Sequence, residues 1–234
     1  KKKKRTSFLR QFVIKKFKDI EMTRSIRALL LTTAVLLMPF SVAADSASYK
    51  EGDHYKPTTE RMAKNTSNEQ IEVIELFSYS CPHCFTLDSQ IMQWKETLPE
   101  NVKFTQVPAI FRDSWLQLAR VFYAAQVTGD SEKLHKALFN AIHIDKRRLD
   151  TEDRLLDFVE EQGIDREKFV ETMNSFTVKT NVKKALIISQ TSGVQGVPVI
   201  IVDGRYFTDA PLAGGMTEML NVVEHLIEKV EAEK

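Results

Sequence analysis

The sequence predicts an α/β fold in which a block of helices interrupts a strand-rich domain. A strand-like run, IEVIELF at residues 71–77, leads into a helical pattern that ends near Glu96, and a second strand-like run follows at residues 102–107. Residues 112–192 then show helical periodicity only, and strand-like residues return at 197–202. Because a strand, a helix and a second strand in this order typically form a parallel pair, we predict a right-handed βαβ unit followed by helices and a second strand-rich part.

The predicted block of helices has five members. The residues that favour helix N-termini are Asp113, Ser131, Thr151 and Asp165, and each precedes an apolar run with helical spacing. Glycines stand where helices end, at Gly129, Gly163 and Gly193. We therefore predict helices over residues 114–128, 131–143, 152–162, 166–173 and 177–192, with apolar residues that form a core rather than a cofactor site.

The two ends of the body are less regular. Residues 45–70 are polar and turn-rich, which predicts an irregular lead-in with at most one short edge strand. Near the other end, Asp203-Gly204 predicts a tight hairpin turn between the strand at 197–202 and a partner at 205–207. A final helix is predicted from Met216 to about Val230.

Charge is unevenly distributed along the chain. Residues 1–44 hold 11 of the 33 Lys and Arg residues but 2 of the 32 Asp and Glu residues, so residues 45–234 carry a net charge of −8. An acidic body argues against a nucleic-acid-binding protein, and we interpret it as a solvated surface that aids solubility.

Residues 22–44 have the pattern of a secretory signal peptide. Arg24 and Arg27 precede an apolar core over residues 28–40, and Val42-Ala43-Ala44 offers small residues for cleavage. The apolar core is shorter than the ~20 residues that a membrane-spanning helix needs, although an uncleaved membrane anchor is the alternative. Export would place the body in an oxidising compartment.

Residues 1–21 are strongly basic and contain no Met before Met22. We expect that translation starts at Met22 and that residues 1–21 are a basic extension outside the native mature protein. The alternative is a basic amphipathic arm that binds anionic lipid.

The only two cysteines, Cys81 and Cys84, form a C-x-x-C motif where the first strand meets the first helix. Unpaired backbone N–H groups and the helix dipole favour negative charge at such a position, so Cys81 is predicted to be an acidified, reactive thiol. A zinc site would need four ligands, and only His83 lies nearby, without a second C-x-x-C. A purely structural disulfide would close a very short loop, which restricts the unfolded chain least. The motif therefore predicts redox chemistry without a metal or a cofactor.

The C-P-H-C motif after a strand, together with Gly-Val-Pro at residues 196–198, resembles the thioredoxin-fold oxidoreductases. The helical block and the predicted signal peptide resemble, within that group, the DsbA family of bacterial periplasmic thiol oxidases. Asn-Ser-Phe at 174–176 and Val-Asp-Gly-Arg-Tyr at 202–206 add to a similarity that covers about residues 70–232. The resemblance implies a thioredoxin fold with an inserted α-helical domain: residues 45–110 form its first part, 111–176 the helical insertion, and 177–234 its second part.

The resemblance also implies a role for each residue of the site. Cys81 would be the exposed nucleophile and Cys84 its buried partner, and the pair between them, Pro82 and His83, would tune their reactivity. Pro198 would be a cis-proline beside the disulfide, where an ordinary trans bond is the alternative, and Val197 would offer backbone hydrogen bonds to an extended substrate.

A further implied element is an acidic cluster below the cysteines. Glu75 interrupts an apolar strand, which by itself is compatible with the solvent face of an alternating strand. The resemblance instead implies a buried carboxylate that helps protons to reach and leave Cys84, with Asp88 as its companion. Gln106 occupies the position where the family's better-known member has a lysine, so we do not carry over the charge balance below the site from that member.

The resulting hypothesis is a thiol:disulfide oxidoreductase that donates a Cys81–Cys84 disulfide to newly exported proteins in the periplasm. The resemblance implies a monomer that is reoxidised by a DsbB-type, quinone-linked membrane oxidase. A disulfide isomerase or reductase shares the chemistry, but such isomerases usually carry a dimerisation domain that is not visible here. Two alternatives of a different class are a peptide-binding chaperone and a copper or zinc carrier that uses Cys81, His83 and Cys84.

Overall fold

A computed structural model describes residues 49–62, 66–67 and 69–234. The predicted basic extension at 1–21 and the predicted signal peptide at 22–44 lie outside these residues. Among the described residues, no helix combines the length and the apolarity needed to cross a membrane.

The described residues contain one five-stranded sheet in the order β1-β5-β4-β2-β3. β2 and β3 are parallel, and the remaining neighbours are antiparallel. β2 is therefore a central strand, and all seven of its residues are buried. The strands are β1 (Lys56–Pro57), β2 (Ile71–Phe77), β3 (Val102–Pro108), β4 (Val199–Val202) and β5 (Tyr206–Asp209).

The predicted βαβ unit is confirmed, because a single long helix connects the parallel strands β2 and β3. The helices are α1 (Pro82–Trp94), α2 (Leu116–Thr128), α3 (Ser131–His143), α4 (Glu152–Glu161), α5 (Arg166–Met173), α6 (Phe176–Thr191), α7 (Ala210–Ala213) and α8 (Met216–Ala232). The five helices predicted for the middle of the chain are thus present. The short helix α7 was not predicted.

The helix boundaries follow local capping chemistry. The side chains of Thr151 and Asp165 accept the backbone N–H groups of Arg154 and Lys168, as expected for N-caps. The predictions at Asp113 and Ser131 were wrong in position. Asp113 begins a short 3₁₀ turn that precedes α2. Asp130 occupies the N-cap position of α3 without a side-chain capping hydrogen bond, so Ser131 is already the first helical residue.

Two apolar cores lie on opposite faces of the sheet. One face packs against the block of helices, through residues such as Leu76, Leu118 and Phe169. The other packs against α1 and α8, through residues such as Val73 and Leu226. This arrangement explains why the central strand β2 reads as an almost continuous apolar run.

The hairpin between β4 and β5 has the predicted turn. Asp203 and Gly204 occupy its centre with φ values of 54° and 63°, and the N–H of Arg205 donates to the carbonyl of Val202. A Cβ atom on Gly204 would lie 2.7 Å from the carbonyl oxygen of Met62, so glycine is required here by space as well as by conformation. The strands themselves begin slightly later than predicted, at Val199 and Tyr206.

Candidate active site

The end of β2 and the start of α1 place Cys81 at a helix N-terminus. The N–H of Cys81 donates to the carbonyl of Ser78 at 3.0 Å, which closes the turn after β2. Cys81 is the N-cap of α1, with extended backbone angles, and Pro82 occupies the first helical turn, where the missing N–H of proline costs no hydrogen bond. The side chain of Cys81 therefore lies over the unpaired N–H groups of the first turn.

Cys81 is a half-buried free thiol that the surrounding groups acidify. A hydrogen bond from the Cys84 thiol, together with the backbone N–H groups of Cys84 and His83 and the charge of His83, lowers the pKa of Cys81 to about 6, although burial acts in the opposite direction. The thiolate is consequently the main form of Cys81 at neutral pH.

Cys84 lies one turn further into the same helix and behaves in the opposite way. Its side chain is 1% exposed, and burial, reinforced by the adjacent Cys81, raises the pKa of the Cys84 thiol far above its ordinary value. Cys84 therefore keeps its proton whenever the pair is reduced.

The loop that precedes β4 brings residues distant in sequence against the motif. The peptide bond between Val197 and Pro198 is cis, as the family resemblance implies. The Cys81 sulfur lies 3.3 Å from the carbonyl oxygen of Val197, to which it donates a hydrogen bond when it carries its proton. The antiparallel pairing of β2 with β4 brings this loop next to the C-x-x-C motif, although the two are distant in sequence.

Glu75 is buried in the centre of β2 and is 2% exposed, so the interpretation of a solvent-facing residue is wrong. Its carboxylate accepts a hydrogen bond from the side-chain amide of Gln106, on the neighbouring strand β3, at 2.8 Å. Burial raises the pKa of Glu75 to about 8, the hydrogen bond from Gln106 opposes this, and the charge of Asp88 adds to it. Glu75 in turn contributes to the raised pKa of Cys84.

The structure also brings together residues that the sequence did not single out. His135, on α3, contacts Asp88 Oδ1 through Nε2 at 2.7 Å and the hydroxyl of Tyr79 through Nδ1 at 2.9 Å. His143, the last residue of α3, contacts the carbonyl oxygen of Tyr79 through Nε2 at 2.7 Å, and its ring stacks on that of Phe85. The one available signal was a histidine among the apolar positions of a predicted amphipathic helix, and it does not identify the partners.

Metal binding gains no support from this geometry. Among residues 49–62, 66–67 and 69–234, no three His, Cys, Asp or Glu side chains converge so that they could hold a metal ion.

Comparison with known proteins bears on this arrangement of motif, loop and helices. The model of the DSBA-like thioredoxin domain matches residues 72–221, which is more than half of the chain. The chain belongs to this family. Its membership confirms the predicted α/β class and the thioredoxin fold, whereas the limits of the helical insertion, residues 111–176, stay a prediction.

Two relatives and one solved structure illustrate the similarity. The thiol:disulfide interchange protein DsbA of Pseudomonas aeruginosa is 37% identical over 205 residues, which cover 87% of this chain and 97% of that protein. The thiol:disulfide interchange protein DsbA of Azotobacter vinelandii is 39% identical over 160 residues, which cover 68% and 75%. A crystal structure of Pseudomonas aeruginosa DsbA has a TM-score of 0.74 and 36% identity, over 79% of this chain and 96% of that one.

Proposed function

We propose that this protein is a thiol:disulfide oxidoreductase that transfers a Cys81–Cys84 disulfide to newly exported proteins in the periplasm. The observation that carries the proposal is the placement of the two cysteines: Cys81 is half-buried at the N-terminus of α1, which accords with its lowered pKa of about 6, and Cys84 is 1% exposed, which accords with its raised pKa. A stabilised thiolate favours the reduced form of the pair, and a pair that favours its reduced form is an oxidant of other thiols.

The reaction proceeds through one mixed disulfide. A substrate thiolate attacks the Cys81 sulfur, the Cys81–Cys84 bond breaks, and Cys84 leaves and is protonated. A second substrate thiolate then attacks the substrate sulfur of the mixed disulfide, and Cys81 leaves as a thiolate. The substrate loses two electrons and two protons. The protein accepts both electrons, Cys84 keeps one proton, and the other proton goes to solvent because Cys81 stays ionised.

The roles of the two cysteines follow from their burial. Cys81 is half-buried and faces the loop at Val197, so its sulfur can be approached by a substrate, whereas Cys84 is closed off. Pro82 and His83 are exposed beside the sulfur. In this proposal they shape its approach, and His83 also stabilises the thiolate by its charge.

The substrate binds beside the cis-proline loop. The carbonyl oxygen of Val197 lies 3.3 Å from the Cys81 sulfur, so a backbone hydrogen bond to Val197 places an extended peptide next to the reacting atoms. Main-chain hydrogen bonds of this kind give affinity without demanding a particular substrate sequence. A protein that acts on many exported proteins needs this property.

The buried acid supplies the proton exchange that Cys84 requires. Cys84 gains a proton at every reduction and loses it at every reoxidation, yet its side chain is 1% exposed. Glu75 is buried below it with a pKa of about 8, so it can hold or release a proton near neutral pH. Asp88 acts through Glu75, because its charge raises the pKa of that carboxyl group.

The proposal requires an oxidant for the reduced protein. Family membership supports a DsbB-type, quinone-linked membrane oxidase in this role, and we propose that the protein meets it as a monomer. Sedimentation of the purified protein tests the monomer, and quinone-dependent reoxidation in membranes that contain the oxidase tests the partner.

The decisive experiment is the refolding of reduced, unfolded ribonuclease A by the oxidised protein and by the Cys81→Ser variant. We expect stoichiometric disulfide transfer from the unaltered protein and none from the variant. The equilibrium of the pair with glutathione is measured in parallel, and we expect it to lie towards reduced protein and oxidised glutathione. A potential as low as that of thioredoxin would overturn the assignment as an oxidase and favour a reductase.

A further inference from the structure

His135 connects the helical part of the chain with the layer beneath the two cysteines, which is formed by Glu75 and Asp88. It lies on α3 and is 9% exposed. Its two ring nitrogens face two different segments: Nε2 lies 2.7 Å from Asp88 Oδ1 on α1, and Nδ1 lies 2.9 Å from the hydroxyl oxygen of Tyr79, in the turn before Cys81. Both partners are within four residues of a catalytic cysteine.

The hydrogen-bond directions follow from the neighbours of the ring. Burial raises the pKa of Tyr79, so its hydroxyl keeps its proton and can donate to Nδ1. The Nε2–H group is then free to donate to the Asp88 carboxylate. An imidazole with its proton on Nε2 satisfies all three groups at once, whereas a proton on Nδ1 alone would direct a nitrogen lone pair at a carboxylate oxygen.

Asp88 passes the effect of His135 on to the proton exchange at Cys84. Asp88 lies one helical turn after Cys84 on α1 and raises the pKa of Glu75 by its charge. Glu75 in turn raises the pKa of Cys84. The position of the Asp88 carboxylate therefore influences how firmly Glu75 holds its proton.

A groove of about 1230 Å³ gives solvent a route to this layer. It lies between α1, β3 and the helices α2 and α3, and Asp88, Gln106 and His135 are among the residues that line it. The titratable side chains that face His135 or line the groove near it are Asp88 from α1, Lys95 just after α1, Tyr79 from the turn after β2, and Glu132 and Lys136 from α3. α2 contributes uncharged residues to the groove, such as Phe122 and Gln126.

We propose that His135 is a positioning residue for proton exchange at Cys84: its hydrogen bond holds the Asp88 carboxylate in a fixed orientation near Glu75. This inference rests on the proposed function, because it concerns the proton that Cys84 binds on reduction and releases on reoxidation. It gives α3 a part in the thiol chemistry through Asp88.

Loss of the imidazole has a defined consequence. Without the Nε2–H donor, the Asp88 carboxylate can turn into the groove, which moves its negative charge away from Glu75. The pKa of Glu75 then falls towards its ordinary value. A more acidic Glu75 is a poorer proton donor to Cys84 at neutral pH, so the pH profile of disulfide exchange moves to lower pH.

The test compares His135→Leu, His135→Asn and His135→Gln with the unaltered protein. Leu cannot hydrogen-bond and Asn is too short to bridge Asp88 and Tyr79, whereas the amide of Gln can donate to Asp88 and accept from Tyr79. Lys136→Gln is the matched control, since Lys136 is exposed on the same helix and lines the same groove. The probes are the carboxyl NMR titration of Glu75 in the reduced protein and the pH profile of exchange with dithiothreitol.

We expect the pKa of Glu75 to fall by about half a unit to one unit in the Leu and Asn variants, with a matching shift of the exchange profile. The Gln variant and Lys136→Gln should keep the original profile, and the pKa of Cys81 should not move. An unchanged pKa of Glu75 in folded Leu or Asn variants overturns the inference. If neither folds alone, the double variant Asp88→Asn/His135→Leu, which leaves no carboxylate without its imidazole partner, decides: its Glu75 pKa must equal that of Asp88→Asn, and a further fall overturns the inference.

These outcomes are separable from those of the proposed function. If the unaltered protein fails to oxidise ribonuclease A, the proposed function is wrong irrespective of His135. If it oxidises that substrate normally and the His135 variants keep the Glu75 titration, the inference alone is wrong.

Discussion

The first turn of α1 and the layer beneath it treat negative charge in opposite ways. At the first turn, a thiol and backbone N–H donors surround Cys81 and lower its pKa to about 6. One turn deeper, burial raises the pKa of Cys84 and brings that of Glu75 to about 8. Two chemically identical thiols in one helix thus differ because hydrogen-bond donors outweigh burial at Cys81, whereas burial outweighs the hydrogen bonding at Cys84.

The largest expected effect is on the reactivity of the two sulfurs taken singly. At pH 7, Cys84→Ser leaves Cys81 as a reactive thiolate, and Cys81→Ser leaves Cys84 as a buried, protonated thiol. We expect iodoacetamide to alkylate the first variant faster by roughly a thousandfold, because the thiolate is the nucleophile. Comparable rates would remove the basis of the comparison. Alkylation in denaturant, where both should react alike, is the control.

The first turn of α1 could be predicted from the sequence, because the residues that place Cys81 there are neighbours in the sequence. A strand-like run, a C-x-x-C motif and Pro82 at the start of a helical pattern together fix Cys81 at a helix N-terminus. The same holds for the hairpin turn at Asp203-Gly204 and for the helices capped by Thr151 and Asp165. Where the local signals compete, as Asp130 and Ser131 do, the predicted cap is displaced by one residue.

The lower region depends on contacts between distant segments. Gln106 reaches Glu75 across 31 residues of sequence, and His135 reaches Asp88 across 47. No periodicity or motif encodes such pairs, and only the family resemblance pointed to Glu75 and Asp88. His135 was missed because a histidine on the apolar side of a helix does not reveal whether it faces a carboxylate or only fills space.

The next largest effect concerns the free energy of unfolding of the reduced protein. The pKa of Glu75 is raised on folding, so its contribution to stability is complete below about pH 4.5 and is lost as the pH rises towards 8. Glu75→Gln removes this loss and can still accept the Gln106 hydrogen bond. We expect it to stabilise the reduced protein by about 2 kcal/mol at pH 7, measured by urea unfolding.

The same change should flatten the pH dependence of stability between pH 5 and 8 and slow the proton exchange at Cys84. Glu100→Gln is the control, because it makes the same chemical change at an exposed position. If Glu75→Gln destabilises the protein at pH 7, the carboxyl group is ionised and stabilised in the folded state, and the buried layer does not disfavour charge.

A smaller effect separates the reduced from the oxidised protein. The pKa of Cys81 is lowered on folding, so the stabilisation that it gives is present above about pH 9 and is lost as the pH falls through 6. In the oxidised protein, Cys81 is part of the disulfide and has no thiol that could titrate. After a discount for the half-exposed position of Cys81, we expect the reduced form to gain about 1 kcal/mol relative to the oxidised form between pH 6 and 8.

Parallel urea unfolding of both forms at several pH values measures this gain. In Cys81→Ser, the reduced protein should lose the pH-dependent gain, whereas Thr86→Ala, an exposed change in the same helix, should keep it. A reduced form that becomes relatively less stable from pH 6 to 8 would mean that Cys81 is not acidified by folding.

The smallest expected effect is that of the His83 side chain, because its charge acts on Cys81 less than the Cys84 thiol and the backbone N–H groups do. His83→Gln keeps the backbone donor and removes the charge. We expect the pKa of Cys81, titrated by thiolate absorbance, to rise by about half a unit, and by less in high salt. Thr86→Ala should leave it unchanged. A rise of several units in the pKa of Cys81 would instead make the imidazole, and not the helix N-terminus, the main stabiliser of the thiolate. The difference in pKa between Cys81 and the groups beneath it would then depend on one side chain rather than on the fold.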